Sequence, residues 1–337
     1  MSQATLSMRR VEPADTPAFD AYPDRMIYHT REWMGFIAET QDAEPVVAEV
    51  KDGGAVVGLF HGLIFRRYGL RLFGSPFPGW TTMYMGFNLD EGVARHAAVK
   101  AAADFVHREL GCVHMELVDR NITAEMASEI GFRYDFVDSY ETDLTQSEDE
   151  IFGSMRSACR RCIRKAEKSG VQIEEGGDEQ FADQYYHQLE DVFLKQGLVP
   201  TYGVDRVRAL IKWLYPTGNL LLLRARDPEG NCIATGIYPG MNKTAQFWGN
   251  ASYRASQGFR PNEALHWHAM RYWKKRGAHV FDWGGGGTYK EKYGCARLEV
   301  PRLMIPKYEA LLRLRDASKR LVESRQRFLG RMASKRQ

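Results

Sequence analysis

The chemically most suggestive stretch of the chain is a run of four glycines between an acidic residue and two lysines. Residues 284–287 are all glycine, Asp282 stands before them, and Lys290 and Lys292 follow. Glycines let a backbone pass close to a ligand, and open α/β sheets bind ligands at the carboxyl ends of their strands. Because residues 279–283 are predicted to form a strand, the run indicates a ligand-binding loop; the alternative is a flexible loop with surface lysines. Asp282 is either a general base or a carboxylate that orients the loop, and its position favours the second role.

A second candidate ligand site is the start of a predicted helix over residues 263–276. Arg260 supplies a cation, Pro261 fits the first helical position, and Asn262 is of a type that caps helices. Helix N-termini bind anions through their free N–H groups. This start therefore predicts a phosphate site, and the alternative is a well-capped helix without a ligand.

A third candidate is the basic face of a helix predicted over residues 148–169. Arg160 and Arg164 are four residues apart, so they share a face. Arginine pairs suit bidentate phosphate recognition, which predicts an acceptor that bears a phosphate or diphosphate. The alternative is a solvated helix face. Within residues 154–168 one acid accompanies six basic residues: Arg156, Arg160, Arg161, Arg164, Lys165 and Lys168.

Other catalytic patterns are missing from the sequence. His266 and His268 are two residues apart and face different sides of a helix, while Cys159 and Cys162 lack a second cysteine pair. We therefore expect no metal site. The sequence also lacks a Gly-x-Ser-x-Gly elbow and a Walker loop, so a covalent enzyme intermediate is not indicated.

The composition is that of a globular protein with more than one domain. The chain has 337 residues, of which 44% are hydrophobic and 26% charged. No run of eighteen apolar residues occurs, and the five cysteines are scattered, which fits a reducing compartment. We expect a cytoplasmic protein.

The C-terminal segment is strongly basic. Residues 301–337 contain 11 Lys and Arg against three Asp and Glu, whereas the rest of the chain is slightly acidic. Residues 308–329 are predicted to form one helix with apolar and cationic positions. Such a helix could bind tRNA or the inner face of an anionic membrane, and the alternative is a solvated helix.

The remaining pattern predicts an α/β protein with α+β mixed sheets. In each half a hairpin through a glycine turn is followed by a helix and then a strand, which combines antiparallel and parallel pairing. The two halves therefore look like a structural duplication with a boundary in residues 136–143. We predict an N-terminal domain (1–138), a C-terminal catalytic domain (139–305) and a basic tail (306–337).

Five blocks in the second half resemble the FemAB-like branch of the GNAT acyltransferase superfamily. In order they are RRCIRKAEKSGV at 160–171, FWGNAS at 247–252, PNEALHW at 261–267, FDWGG at 281–285 and YKEKYG at 289–294. The first half is similar only in its order of strands and helices. Residues 256–261 depart from the Gln/Arg-x-x-Gly-x-Gly/Ala loop of ordinary CoA-binding GNAT proteins. The chain also lacks room for the coiled-coil insertion of some family members.

The resemblance implies tandem GNAT-like domains and specific roles for several residues. It gives Lys290 the stabilisation of the tetrahedral oxyanion or the binding of the donor's phosphate. Gly285 and Tyr289, which lie in the similar blocks, are expected near the donor, and the helix start with Arg260 and Asn262 is the candidate site for the donor's phosphate. The resemblance places Tyr202 near the acceptor, with Trp248 and Asn250 on the central strand, although a core role is the default for a strand tryptophan.

The resemblance also implies a reaction class. The expected activity is transfer of an aminoacyl or acyl group to an amine on a cell-envelope precursor, an amino sugar or a small metabolite. Aminoacyl-tRNA or acyl-CoA would serve as co-substrate, with no permanently bound cofactor. The alternative from another class is a catalytically inactive protein that uses the fold to bind nucleic acid or to assist polysaccharide assembly.

Overall fold

A computed structural model describes residues 6–12, 22, 24–194 and 198–310 of the chain. The predicted tail helix over residues 308–329 lies almost wholly outside these residues. The strands are β1 (Leu6–Val11), β2 (Ala43–Asp52), β3 (Ala55–Arg67), β4 (Leu70–Ser75), β5 (Gly86–Leu89), β6 (His114–Val118), β7 (Arg133–Asp143), β8 (Gln172–Glu175), β9 (Leu220–Arg226), β10 (Cys232–Met241), β11 (Thr244–Gln246), β12 (Gly249–Ser252), β13 (Val280–Asp282) and β14 (Ala296–Pro306). The helices are α1 (Arg31–Gln41), α2 (Arg95–Asp104), α3 (Ala124–Ile130), α4 (Glu148–Ser154), α5 (Ser157–Lys168), α6 (Phe181–Leu194), α7 (Val204–Leu214) and α8 (Pro261–Lys275).

The strands join into one mixed sheet that runs through both halves of the chain. Its order is β1-β2-β3-β4-β6-β14-β7-β13-β11-β10-β9-β8, with β5 beside β3 and β12 beside β10. Most neighbours are antiparallel, whereas β4 with β6 and β11 with β13 are parallel. The predicted mixed α/β fold with helices on the sheet is therefore confirmed.

The last strand ties the two halves together. β14 pairs with β6 on one side and with β7 on the other. β7 continues without a break through residues 136–143, where the sequence pattern predicts a boundary. The predicted domain limit between residues 138 and 139 therefore falls inside β7. β14 belongs to the predicted C-terminal domain, yet it pairs with β6 of the predicted N-terminal domain.

Three buried apolar clusters hold the helices on the sheet. The first cluster joins the halves, because Trp33 of α1, Tyr185 of α6 and Leu210 of α7 all belong to it. The second lies under α2 and α3, and the third under α5 and α8. Gly35 of α1 allows the close approach of α7: a Cβ atom there would lie 2.6 Å from the Trp213 ring.

Helix ends follow the local sequence. Thr123 caps α3 by accepting a hydrogen bond from the Met126 N–H at 3.3 Å, and Gly131 ends that helix with φ of 82°. Ser147 and Glu150 form a capping box at the start of α4. No helix among the described residues has the length and apolar character needed to cross a membrane.

Candidate active site

The candidate site lies where two parallel strands of the second half separate. β11 and β13 pair over three residues each, ending at Gln246 and Asp282. After a last hydrogen bond from the Phe247 N–H to the Asp282 carbonyl at 2.8 Å, β12 turns to pair with β10. The chain after Asp282 leaves the sheet as the glycine loop. The two strands therefore open a gap at their carboxyl ends, the place where an α/β sheet binds ligands.

The glycine loop has a conformation that requires glycine. Gly284, Gly286 and Gly287 have φ values of 66°, 78° and 87°, which other residues adopt only with strain. At Gly285 a Cβ atom would lie 2.8 Å from the Asp138 carbonyl oxygen. The loop is thus a fixed turn packed against β7, not a flexible linker.

Lys290 fixes the conformation of this loop through hydrogen bonds to its backbone. It lies in a 3₁₀ turn over Thr288–Tyr293 and is 3% exposed. Its Nζ donates to the carbonyl oxygens of Trp283 at 2.5 Å, Gly285 at 2.7 Å and Gly284 at 3.2 Å. An ammonium group has three N–H donors, so all of them are directed at the loop. Burial lowers the pKa of Lys290 to about 8, although the Asp282 carboxylate opposes the shift.

Asp282 fixes the first turn of the loop with one oxygen. Its Oδ1 accepts hydrogen bonds from the Gly284 N–H at 2.7 Å and from the Ser139 hydroxyl at 3.1 Å. The side chain is fully buried, and burial together with the charge of Glu141 raises its pKa to about 6. This arrangement fits the predicted orienting role while leaving the second oxygen available for chemistry.

The start of α8 lies beside the gap. Arg260 has φ of 60° and precedes the helix, which begins at Pro261. The prediction that Asn262 caps this helix is wrong, because Asn262 is already inside the first turn. Its Nδ2 instead donates to the Ser252 hydroxyl of β12 at 3.2 Å. The helix start is therefore anchored to β12 with no side-chain cap on its N–H groups.

The predicted basic helix is broken in two, and its second part adjoins the loop. The Arg156 N–H donates to the Lys292 carbonyl at 2.9 Å, which ends α4 and begins α5 against the turn that carries Lys290. Arg160 donates to the Gly153 carbonyl at 3.0 Å, and Arg164 lies over the Phe152 ring at 5.2 Å. The exposed residues Arg161, Lys165 and Lys168 of α5 make no ion pair with the described part of the chain.

The aromatic residues predicted near the acceptor form one group. The Tyr202 ring lies 5.4 Å from the Trp248 ring, and its hydroxyl is 2.9 Å from that of Tyr185. Trp248 packs against the first cluster, as expected for a core tryptophan. Asn250 lies two residues further on, on β12 opposite Gly236. Tyr289, two residues after the last glycine of the loop, is half exposed.

Three residues at this site were not singled out from the sequence. Gln246 pairs in register with Asp282, Ser139 donates to Asp282, and Tyr84 approaches the same carboxylate from the first half. Strand register and contacts between the halves bring them together, and no local motif marks them. Among the described residues, no group of three or more His, Cys, Asp or Glu side chains is arranged to hold a metal ion.

A family model matches the part of the chain that contains this site. Residues 153–293 match the family model described as an acetyltransferase (GNAT) domain. No curated protein matches the sequence significantly.

Several solved structures share the fold at low sequence identity. The crystal structure of FemX is 13% identical and superposes with a TM-score of 0.71 over 88% of this chain and 96% of that one. A tandem GNAT protein from the clavulanic acid biosynthesis pathway is 9% identical, with a TM-score of 0.54 over 90% and 99% of the two chains. The structure of L-PGS from Bacillus licheniformis is 12% identical, with a TM-score of 0.52 over 86% and 91%. The matched segment, residues 153–293, contains the strand gap and the glycine loop, so this part of the chain is similar to the acetyltransferase (GNAT) domain.

Proposed function

We propose that this protein moves an aminoacyl or acyl group from an activated donor, aminoacyl-tRNA or acyl-CoA, to an amine on a cell-envelope precursor, an amino sugar or a small metabolite. The observation that carries the proposal is the gap between β11 and β13, bordered by a glycine loop that Lys290 holds in place. The gap accepts the donor's reactive carbonyl, and the acceptor amine attacks it directly. Holding both reactants in one cleft supplies much of the rate.

The donor's phosphate groups have a cationic element available at the start of α8, where free N–H groups and Arg260 favour an anion. Both CoA and the end of tRNA bear phosphates, so this element supports either donor. α5, which begins against the turn that carries Lys290, is instead the element that contacts a phosphate on the acceptor. The departure of residues 256–261 from the usual CoA loop favours aminoacyl-tRNA.

The direct test is to incubate the protein with labelled acetyl-CoA and, separately, with a pool of labelled aminoacyl-tRNA. Each donor is offered with a panel of primary amines, and loss of label from the donor is followed with time. We expect one donor to be consumed with formation of an amide. If neither donor is consumed with any amine and neither donor changes the melting temperature of the protein, the inactive binding-protein alternative is favoured.

We predict that Arg160→Ala and Arg164→Ala each raise the acceptor's KM by about 5-fold, equivalent to about 1 kcal/mol, with little change in kcat. The reason is that a phosphate contact at an arginine of the helix surface acts equally on the ground state and the transition state. Steady-state kinetics with a phosphate-bearing acceptor measures the split. Arg276→Ala, which removes an arginine from the far end of α8, is the matched control. A fall in kcat at constant KM would show that the α5 arginines act on the chemical step.

A further inference from the structure

A row of polar side chains crosses the sheet beneath the strand gap. Glu141 of β7, Asp282 of β13 and Gln246 of β11 occupy adjacent register positions on three neighbouring strands. Alternate residues of these strands, such as Phe281 and Ala245, belong to the third apolar cluster on the opposite face. The row therefore faces the first cluster, where the two halves of the chain meet.

Two members of this row have buried polar atoms without a partner. Neither the oxygen nor the nitrogen of the Gln246 side-chain amide makes a hydrogen bond, and the residue is 2% exposed. The same holds for Oδ2 of Asp282, which is 1% exposed. A buried polar group left unpaired is destabilising, and native proteins pair most of them. Gln246 and Asp282 are register partners on neighbouring strands. Their three unpaired atoms therefore indicate a place where polar groups of a ligand complete the hydrogen bonds.

The first half of the chain covers this place with tyrosines. Tyr28 and Tyr84 are both buried in the first cluster, and burial, followed by the charge of Asp282, raises the pKa of each. The Tyr84 hydroxyl also lacks a hydrogen bond of good geometry. Other charged groups near Asp282 are Glu141 with its partner Arg120, and Lys290. Groups from both halves thus surround the unpaired carboxylate oxygen.

A cavity of about 300 Å³ lies near this row, although none of the three row residues lines it. Its lining includes Arg120, which is paired to Glu141, and Thr244, which lies two residues before Gln246 on the same face of β11. Two strand residues span roughly 7 Å, so the cavity lies within reach of the Gln246 amide. Its volume is at the small end of ligand pockets, which suits a molecule of amino-acid or monosaccharide size.

We propose that Asp282, Gln246 and Tyr84 form the acceptor subsite, which binds a primary amine together with a neighbouring hydroxyl or carbonyl group. This inference rests on the proposed acyl transfer and specifies which side chains select the acceptor. The Asp282 carboxylate holds the amine nitrogen at the apex of the strand gap, where the donor's carbonyl lies. The Gln246 amide and the Tyr84 hydroxyl bind the adjacent polar group, and the rest of the acceptor occupies the cavity.

The same placement gives Asp282 a part in the reaction. The amine nitrogen forms a C–N bond to the donor's carbonyl carbon, and the resulting intermediate gives one N–H proton to Oδ2 of Asp282. The ester C–O or thioester C–S bond then breaks with its electron pair on the leaving oxygen or sulfur. That atom takes the proton, so the products are an amide and the free hydroxyl or thiol. A positioned base of this kind contributes about 100- to 10,000-fold in rate.

The test compares ethanolamine with ethylamine as acceptors of the donor that the protein consumes. Both carry a primary amine, and only ethanolamine has the neighbouring hydroxyl. We expect Gln246→Leu and Tyr84→Phe to raise the KM for ethanolamine several-fold and to leave that for ethylamine nearly unchanged. We expect Asp282→Asn to lower kcat at least 100-fold with both amines. Tyr238→Phe, a fully buried tyrosine on the opposite face, is the matched control.

Two further readouts separate this role from a structural one. Wild-type activity should rise as the pH increases through about 6, because Asp282 must lose its proton to act as a base, and Asp282→Asn should lack this rise. Gln246→Leu should leave the melting temperature unchanged or raise it, because it replaces unpaired polar atoms with an apolar group. A purely structural Gln246 would lower it.

The outcomes distinguish the inference from the proposed function. If the wild-type protein consumes neither donor, even by hydrolysis, the proposed function fails. If it hydrolyses a donor and neither amine accelerates donor consumption, the acceptor subsite is wrong and the donor site stands. The same conclusion follows if the Gln246 and Tyr84 variants treat the two amines as the wild type does.

Discussion

Replacing Lys290 by alanine should lower the rate of transfer about 100- to 1,000-fold, which corresponds to about 3–4 kcal/mol of transition-state stabilisation. The variant loses three hydrogen bonds that fix the carbonyls of Trp283, Gly284 and Gly285. The glycine loop then no longer holds a single conformation beside the donor's carbonyl. It also loses the one buried cation next to the loop among the described residues. Initial rates with the consumed donor measure the effect.

Control variants distinguish two possible roles of Lys290, which are to position the glycine loop and to supply a positive charge. Lys292→Ala removes a lysine from the same turn, where it pairs with Glu263, and should stay within a few-fold of the wild type. Lys290→Arg keeps the cation but presents a planar group that cannot donate to three converging carbonyls. If Lys290→Arg is as active as the wild type, Lys290 acts through its charge, as the family resemblance implies. If it is as slow as Lys290→Ala, Lys290 acts by positioning the loop. A Lys290→Ala variant within threefold of the wild-type rate would remove Lys290 from the mechanism.

The pKa of Lys290 gives an independent check. Because burial lowers it to about 8, the side chain loses its charge as the pH rises through that value. The neutral amine has only two N–H donors for three carbonyls, so wild-type activity should fall above pH about 8. The pH–rate profile of the wild type should therefore have an alkaline limb that Lys290→Arg does not show, because arginine stays protonated.

The sequence predicts those parts of the fold that local chemistry determines. α3 is an example, because residue types that mark helix ends stand at both of its limits: Thr123 caps its start and Gly131 ends it. β9 is another example, since it begins with four consecutive leucines and ends just before a turn. The predicted helix over residues 148–169 instead breaks between α4 and α5, because the Arg156 N–H bonds to the distant Lys292 carbonyl. No local signal marks that break.

Some residues of the candidate site could likewise be predicted from the sequence, and others could not. Asp282, the glycine loop and Lys290 are consecutive in the chain, so their neighbourhood follows from the sequence. Gln246 meets Asp282 only through the register of β11 with β13, and Tyr84 comes from the other half. Contacts of this kind depend on strand pairing between distant segments, which the pattern of a single strand does not encode.

β14 is an element that the sequence pattern does not predict. Its prolines, Pro301 and Pro306, argue against a strand in sequence analysis. In the structure it nevertheless pairs with β6 and β7 and buries Val300, Leu303, Met304 and Ile305. A chain that ends at residue 294 leaves one edge of β6 and one edge of β7 without a partner strand. We therefore expect it to aggregate or to lack cooperative unfolding.

The size of the effect follows from burial. Four buried apolar side chains contribute about 1.5–3 kcal/mol each, or about 6–12 kcal/mol, comparable with the whole free energy of unfolding of a typical domain. Arg302 adds ion pairs to Asp135 and Glu116. The matched control is a chain that ends at residue 310, which keeps β14 and should unfold cooperatively. Soluble yield, size-exclusion chromatography and thermal melting followed by circular dichroism compare the two.

The same experiment tests the domain limits that the sequence predicts. A fragment of residues 1–138 would fold alone if the N-terminal domain were independent, whereas the pairing of β14 with β6 requires the C-terminal strand to be present. We expect the fragment to be insoluble alone. Equal cooperative melting of the chains that end at 294 and 310 would show that β14 is dispensable and that the halves are separate domains. If both chains fail to fold, residues 311–337 are needed for folding, and the loss cannot be assigned to β14.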